Sequence, residues 1–162
     1  MKPWASRPRD IRNLFNPAFC GVVLARSIEG FTATANKPMP FSLTLLILPL
    51  CLHKRSRETL KAANKSYLAK IIENHPELQA GLAERARGLM PYTLEAYGLL
   101  MTTNTVQVLE DGGVVLKDGG IKKTISGSAE TKDCQTVAKS LGKKFAVMND
   151  RATIYTSFGL RP

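Results

Sequence analysis

The sequence predicts a mainly α-helical domain with a small β-hairpin, containing a winged helix-turn-helix-like element. Three observations carry that expectation. Between residues 73 and 117, apolar side chains recur first at helical spacing and then in alternation. The run Phe41 to Leu52 (FSLTLLILPLCL) is apolar on nearly every side, as a core helix is. Asn16-Pro17 is a strong helix start, with Asn as N-cap and Pro at the first helical position. In 162 residues there is no internal repeat, low-complexity tract or obvious linker, so one domain is expected. Its parts are a basic arm (1–15), a helical core (16–72), the winged-helix-like element (73–117) and C-terminal helices (129–162).

In chain order, Met1 to Arg12 reads as an extended basic arm bearing Lys2, Arg7, Arg9 and Arg12. The helix opened by Pro17 carries Phe19, Val22, Val23 and Ile28 inward and is expected to end near Gly30 or soon after. Lys37-Pro38-Met39-Pro40 reads as a hinge, because two prolines remove backbone donors and bias their neighbours to extended backbone. The Phe41–Leu52 helix should be the central element, kinked or ended by Pro49. His53 to Lys70 is the most basic segment, with six Lys or Arg and one Glu. A short helix is expected around Ser56 to Leu60, and another around Leu68, Ile71 and Ile72.

In the winged segment, Pro76 is expected to open a helix carrying Leu78, Leu82, Ala86 and Leu89. Gly88 and Pro91 bracket a break, and Pro91 begins a second helix with Leu94, Tyr97 and Met101 on one face. Val106, Val108 and Val114, Leu116 then alternate around Glu110-Asp111-Gly112-Gly113, a hairpin signal. Residues 118–128 are polar and glycine-bearing, with room for a further short strand. A helix from about Ala129 to Leu141 is stopped by Gly142. The end of the chain, with Phe145, Val147, Ile154, Tyr155, Phe158 and Leu160, is too apolar to hang free and should dock on the core or on a partner.

The formal net charge of +10 makes an anionic partner a live possibility, and a solvated basic face accounts for it equally. The opening residues have basic charge but no apolar run behind it, so no secretory signal is expected. Phe41–Leu52 is short of the roughly 20 residues a membrane span needs. Cys20, Cys51 and Cys134 are odd in number and far apart, which fits reduced, buried thiols in a cytoplasmic protein better than a disulfide frame or a zinc site.

Converging catalytic groups are not evident. His53 and His75 sit at helix edges without a carboxylate or cysteine at ligand spacing, and capping accounts for them better than metal binding. The aspartates fall in loops and helix ends, where Asp bonds to local backbone. Gly112-Gly113 and Gly119-Gly120 do not match a phosphate loop. No enzyme activity, cofactor or metal is therefore expected.

Two surfaces remain. In a DNA-reading winged helix, the second helix carries Arg, Lys, Asn or Gln into the major groove. Here that helix is PYTLEAYGLLM, without Lys or Arg, and the wing tip is acidic. Tyr92, Leu94 and Tyr97 suit a protein interface better, although about half of such residues could simply be core. In Glu84-Arg85-Ala86-Arg87, Glu84 and Arg87 are i,i+3 neighbours on a helix and either form a surface ion pair or leave Arg85 and Arg87 to meet an acidic partner. Basic charge sits elsewhere, and Lys54, Arg55, Arg57, Lys61, Lys65, Lys122 and Lys123 are the candidates for sequence-independent contact with a DNA backbone.

With these segments assembled, the chain resembles the middle component of three-component ABC ATPase systems, the group that includes Lamassu-type defence modules. The resemblance rests on NPAFC (Asn16–Cys20), PMPFSLTLLILPLCLHK (Pro38–Lys54), NHPELQAGLAERARGLMPYTLEA (Asn74–Ala96) and TIYTSFGLRP (Thr153–Pro162). It implies a non-enzymatic adaptor that bridges an SMC- or Rad50-like ABC ATPase and an effector, often a nuclease, in bacterial anti-phage or anti-plasmid defence. DNA would then be met through the complex, without sequence preference and without a membrane. A stand-alone winged-helix DNA-binding regulator is the alternative.

Overall fold

The computed structural model describes residues 6–161. Its helices are α1 (Arg9–Leu14), α2 (Pro17–Ala35), α3 (Phe41–Thr44), α4 (Ile47–Cys51), α5 (Lys54–Ala62), α6 (Leu68–Asn74), α7 (Leu82–Thr102), α8 (Ala129–Met148) and α9 (Arg151–Ser157). Three short strands, β1 (Met39–Pro40), β2 (Val106–Val108) and β3 (Gly113–Leu116), form an antiparallel sheet in the order β1-β3-β2. The chain is thus mainly helical with a small sheet, as the sequence predicts.

The centre of the fold is α2, not the Phe41–Leu52 segment. Asn16 caps α2 as expected, its Oδ1 accepting from Ala18 N at 2.9 Å. The helix passes through Gly30 and stops only at Asn36, which takes the left-handed conformation of a C-cap (φ 52°). Gly30 is not a terminator but a packing residue. A Cβ there would lie 2.1 Å from the Lys139 carbonyl oxygen of α8, and one at Gly142 would lie 2.0 Å from the Ser27 carbonyl oxygen of α2. The two helices therefore touch backbone to backbone, each supplying a glycine. For the same reason α8 continues through Gly142 to Met148, well past the expected end.

On its other side α2 meets α7. A Cβ at Gly21 would approach the Leu100 side chain at 3.2 Å. Gly21 and Gly30 are nine residues apart, about two and a half turns, so they face opposite ways from the helix axis. The result is a layer in the order α7, α2, α8.

Phe41–Leu52 is two short helices rather than one, with Leu45 and Leu46 between them. Leu46, Ile47, Leu48, Leu50 and Cys51 are all buried, so the run is core as expected. The Lys37–Pro40 hinge contains β1. Met39 pairs with Val114 and Pro40 with Gly113, on a sheet edge where a missing N–H is tolerated. The hairpin stands as expected, with Gly112 at φ 77° and Gly113 N donating to Asp111 Oδ1 at 2.8 Å.

The largest departure concerns the helix-turn-helix. Pro76 opens only a short 3-10 turn (Pro76–Leu78), and α7 starts at Leu82 after Gly81 (φ 64°). The expected break at Gly88–Pro91 is absent, and both expected helices are parts of α7. Pro91 is tolerated because it and Arg87 lie on the solvent side, where water can take the carbonyl that proline leaves unbonded.

Residues 117–128 contain no strand and are held from beneath. The buried Arg26 donates through Nη2 to the Lys122 and Thr124 carbonyls (2.6 and 3.2 Å), and Gln135 Nε2 donates to Ser126 O at 3.0 Å. The C-terminal segment docks on the core, as its apolar content requires. Phe158 meets Phe145 edge-on at 6.5 Å, and Tyr155 OH donates to Ser42 O at 2.6 Å.

Candidate docking face and basic surface

The continuous course of α7 decides which of its side chains reach solvent. Leu82, Thr93, Ala96, Tyr97 and Leu100 are buried on the side toward α2. Met90, Leu94 and Met101 follow a single helical stripe on the opposite side and are 42%, 50% and 55% exposed. Ala83, Arg87 and Gly98 fall on the same stripe, and Leu99 and β2 Val108 are further exposed apolar side chains. Half of the large exposed apolar residues among those described thus belong to one helix, a concentration that scattered surface leucines do not give.

The five residues expected at a protein interface divide accordingly. Leu94 and Arg87 are exposed. Tyr92 is half-buried, its ring 4.4 Å from that of Phe15, with the Arg7 guanidinium 5.9 Å from the ring centre. Tyr97 is core, its ring centre 5.0 Å from that of Phe41 with the planes tilted by 55°, and burial pushes its hydroxyl pKa up. Arg85 is partly buried. It folds back to donate from Nη1 to Ala80 O at 2.7 Å, and partial burial lowers its pKa. Met90 was missed because a helix cut at Pro91 puts it on a different element from Leu94 and Met101. Spacing of four and then seven residues along one helix was the signal that would have found it.

Arg7, expected in an extended basic arm, is buried and forms a double ion pair with Glu95 of α7 at 2.7 and 2.6 Å. Residues 9–14 of that arm are helical rather than extended, and Lys2 lies outside the described residues.

The candidate DNA contacts also divide. Lys54, Arg55, Lys65, Lys122 and Lys123 are exposed. Arg57 is 4% exposed, and its Nη1 donates to the carbonyls of Cys51 and Leu52 (2.9 and 3.3 Å) while Nη2 meets Glu130 Oε1 at 2.5 Å. It is a structural cation joining α4, α5 and α8. Lys61 pairs with Asp133 at 2.7 Å. Beside them His53 caps α5, its Nδ1 accepting from Ser56 N at 3.4 Å, and burial together with Arg85, Arg55 and Arg57 lowers its pKa.

The three cysteines are buried free thiols. Burial pushes Cys20 up to about 12 and raises Cys51 and Cys134 as well, so all three are protonated and unreactive near neutral pH. Among the described residues, no three His, Cys, Asp or Glu side chains are grouped so as to hold a metal ion. No described helix is long and apolar enough to cross a membrane.

No curated protein and no solved structure gives a significant match to the chain. A family model does, over residues 4–162, and its description is ABC-three component (ABC-3C) system Middle Component 3. That match takes in every element described above, and the chain belongs to the Middle Component 3 family of ABC-three component systems.

Proposed function

We propose that this chain is a non-catalytic adaptor that seats an SMC-like ABC ATPase against an effector, a nuclease in the simplest case, within a Lamassu-type anti-phage or anti-plasmid defence complex. The observation that carries the proposal is the α7 stripe of Met90, Leu94 and Met101, which leaves a row of large apolar side chains in water on a chain that belongs to a multi-component family. Covering such a row with a partner removes it from solvent at about 25 cal/mol per Å².

The order of elements supports a winged-helix origin for this face. A helix, an edge strand, further helices and then a long helix lead into a hairpin, and the sheet order is β1-β3-β2. In that arrangement α7 takes the place of the helix that enters a DNA groove. Its exposed stripe is apolar rather than basic, and Glu110 and Asp111 at the hairpin turn would be repelled by phosphates. Protein docking accounts for such a surface better than base readout does. The buried polar groups point the same way: Arg26, Arg57 and Gln135 are turned onto backbone carbonyls, so they serve the fold rather than a reaction.

DNA contact, where the complex makes it, falls to the exposed Lys54, Arg55, Lys65, Lys122 and Lys123, without sequence preference. Arg57 and Lys61 drop out of that set because they make close ion pairs at 2.5 and 2.7 Å, whereas the Lys54–Glu58 pair is loose at 3.9 Å and exposed at both ends. Three buried protonated thiols suit a reducing cytoplasm.

The test is reconstitution of this chain with an ABC ATPase and an effector of the same three-component system. The proposal expects effector and ATPase to co-elute only when this chain is present. Direct ATPase–effector association without it would sink the bridging role. Tight, sequence-dependent DNA binding by the isolated chain would favour the stand-alone regulator instead.

A further inference from the structure

A second candidate surface lies on the far side of the layer from the α7 stripe. The loop between α5 and α6, the start of α6 and the outward face of α8 form the walls of a groove of about 630 Å³, which Ile125 also lines. This volume falls in the ~300–1,000 Å³ range of built binding sites. Tyr67 (76% exposed) and Val147 (59% exposed) line it, together with Leu68 and Met148.

The walls are fixed before any partner arrives. Lys144 Nζ donates to the carbonyls of Asn64 and Ser66 at 2.8 and 2.5 Å, and Ser140 Oγ hydrogen-bonds Asn64 Oδ1. A preformed site avoids the cost of ordering a loop on binding. The charge is one-sided. Lys65 on the loop and Lys143 on α8 make no ion pair among the described residues, and no carboxylate lines the groove.

We propose that this groove binds a peptide segment of a partner protein in which an aromatic or long aliphatic side chain is flanked by Asp or Glu. The apolar side chain lies between Tyr67 and Val147, and the flanking carboxylates meet Lys65 and Lys143 on the two walls. A nucleic-acid backbone is the poorer fit. Lys139 and Lys144 are already bonded, to Glu29 and to backbone carbonyls, which leaves Lys65 and Lys143, among the described residues, as the unpaired cations of a groove whose surface is mainly apolar. This assignment rests on the adaptor reading only in giving the second partner a face, since the α7 stripe points the opposite way.

A random-peptide display library selected against the full chain tests it, followed by fluorescence anisotropy with the enriched peptides. Enrichment of acidic sequences around one aromatic or aliphatic residue is expected. Their affinity should fall about tenfold or more in V147E and K143E, both at exposed positions, and hold in L94E on the other side of the fold. No enrichment, basic or uncharged winners, or affinity indifferent to both groove variants would overturn the assignment. So would a labelled DNA duplex whose binding is lost in K143A and V147S together. Because L94E is the variant that tests the α7 face, loss of ATPase binding there with peptide binding intact separates the two proposals.

Discussion

The close approach of α2 and α8 makes a sharp prediction for Gly142→Ala. The added methyl carbon would start 2.0 Å from the Ser27 carbonyl oxygen, whereas real contacts of this kind are essentially never shorter than 3.0 Å. The helices must therefore move apart by about 1 Å locally, and the obstacle is backbone on both sides, with no side chain to swing away. A gap of that size forfeits a quarter to a half of the dispersion well for the atoms it separates. Overpacking costs about 1–3 kcal/mol, and this site belongs at the upper end. Replacing glycine by alanine inside a helix returns about 1 kcal/mol. The net expectation is a loss of about 2 kcal/mol, or a fall in Tm of roughly 4–8 °C for a chain of this size. Gly88→Ala is the control, since a Cβ there meets nothing within 4 Å, and it should gain roughly 0.5–1 kcal/mol. Urea unfolding should show the two midpoints moving in opposite directions without a change in slope. A Gly142→Ala protein as stable as the parent would refute the backbone contact and the layer built on it.

Other residues give equally direct tests. Arg57→Met should destabilise the chain by about 2–4 kcal/mol, because the Cys51 and Leu52 carbonyls lose a charged donor, while Glu130→Gln, at an exposed carboxylate, should cost far less; equal effects in thermal melts would count against the structural role. Arg26→Met should release residues 117–128, so trypsin should cut after Lys122 and Lys123 faster than in the parent, and an unchanged cleavage rate would disconnect Arg26 from that segment. His53 has a folded pKa below its ordinary 6.5, so the unfolded chain takes up its proton first as pH falls. Its contribution is complete above pH 6.5 and declines from there toward the lower folded value. His53→Asn keeps an N-cap without the titration, and its stability should be flatter across that window in parallel urea series.

The sequence made the helical class legible because its apolar spacing and caps are local signals. Asn16-Pro17 and the Gly112-Gly113 turn both work within a few residues of themselves. What it hid were effects set by neighbours far along the chain. Gly30 and Gly142 look like helix stops in isolation, and only the helix packed against each shows why glycine is needed. Pro91 looks like a break, and only its exposure shows why the helix can run through it. That one misplaced boundary also scattered the α7 stripe, putting the buried Tyr97 among the interface residues and leaving Met90 out. Arg57 is a further case. In sequence it belongs to a basic run, but Glu130 and the Cys51 carbonyl claim it from outside that run.

The most direct measurement of the docking account is the affinity of this chain for its ABC ATPase with and without charge placed on α7. At about 0.3 M salt, where screening confines charge attraction to less than about 10 Å, apolar contact should still hold the parent complex together. Leu94→Glu and Met101→Glu should each weaken it by about 2 kcal/mol or more, roughly thirtyfold in Kd, while circular dichroism and Tm stay as in the parent because both side chains are already exposed. An ATPase complex that forms with undiminished affinity in both variants would contradict the central claim.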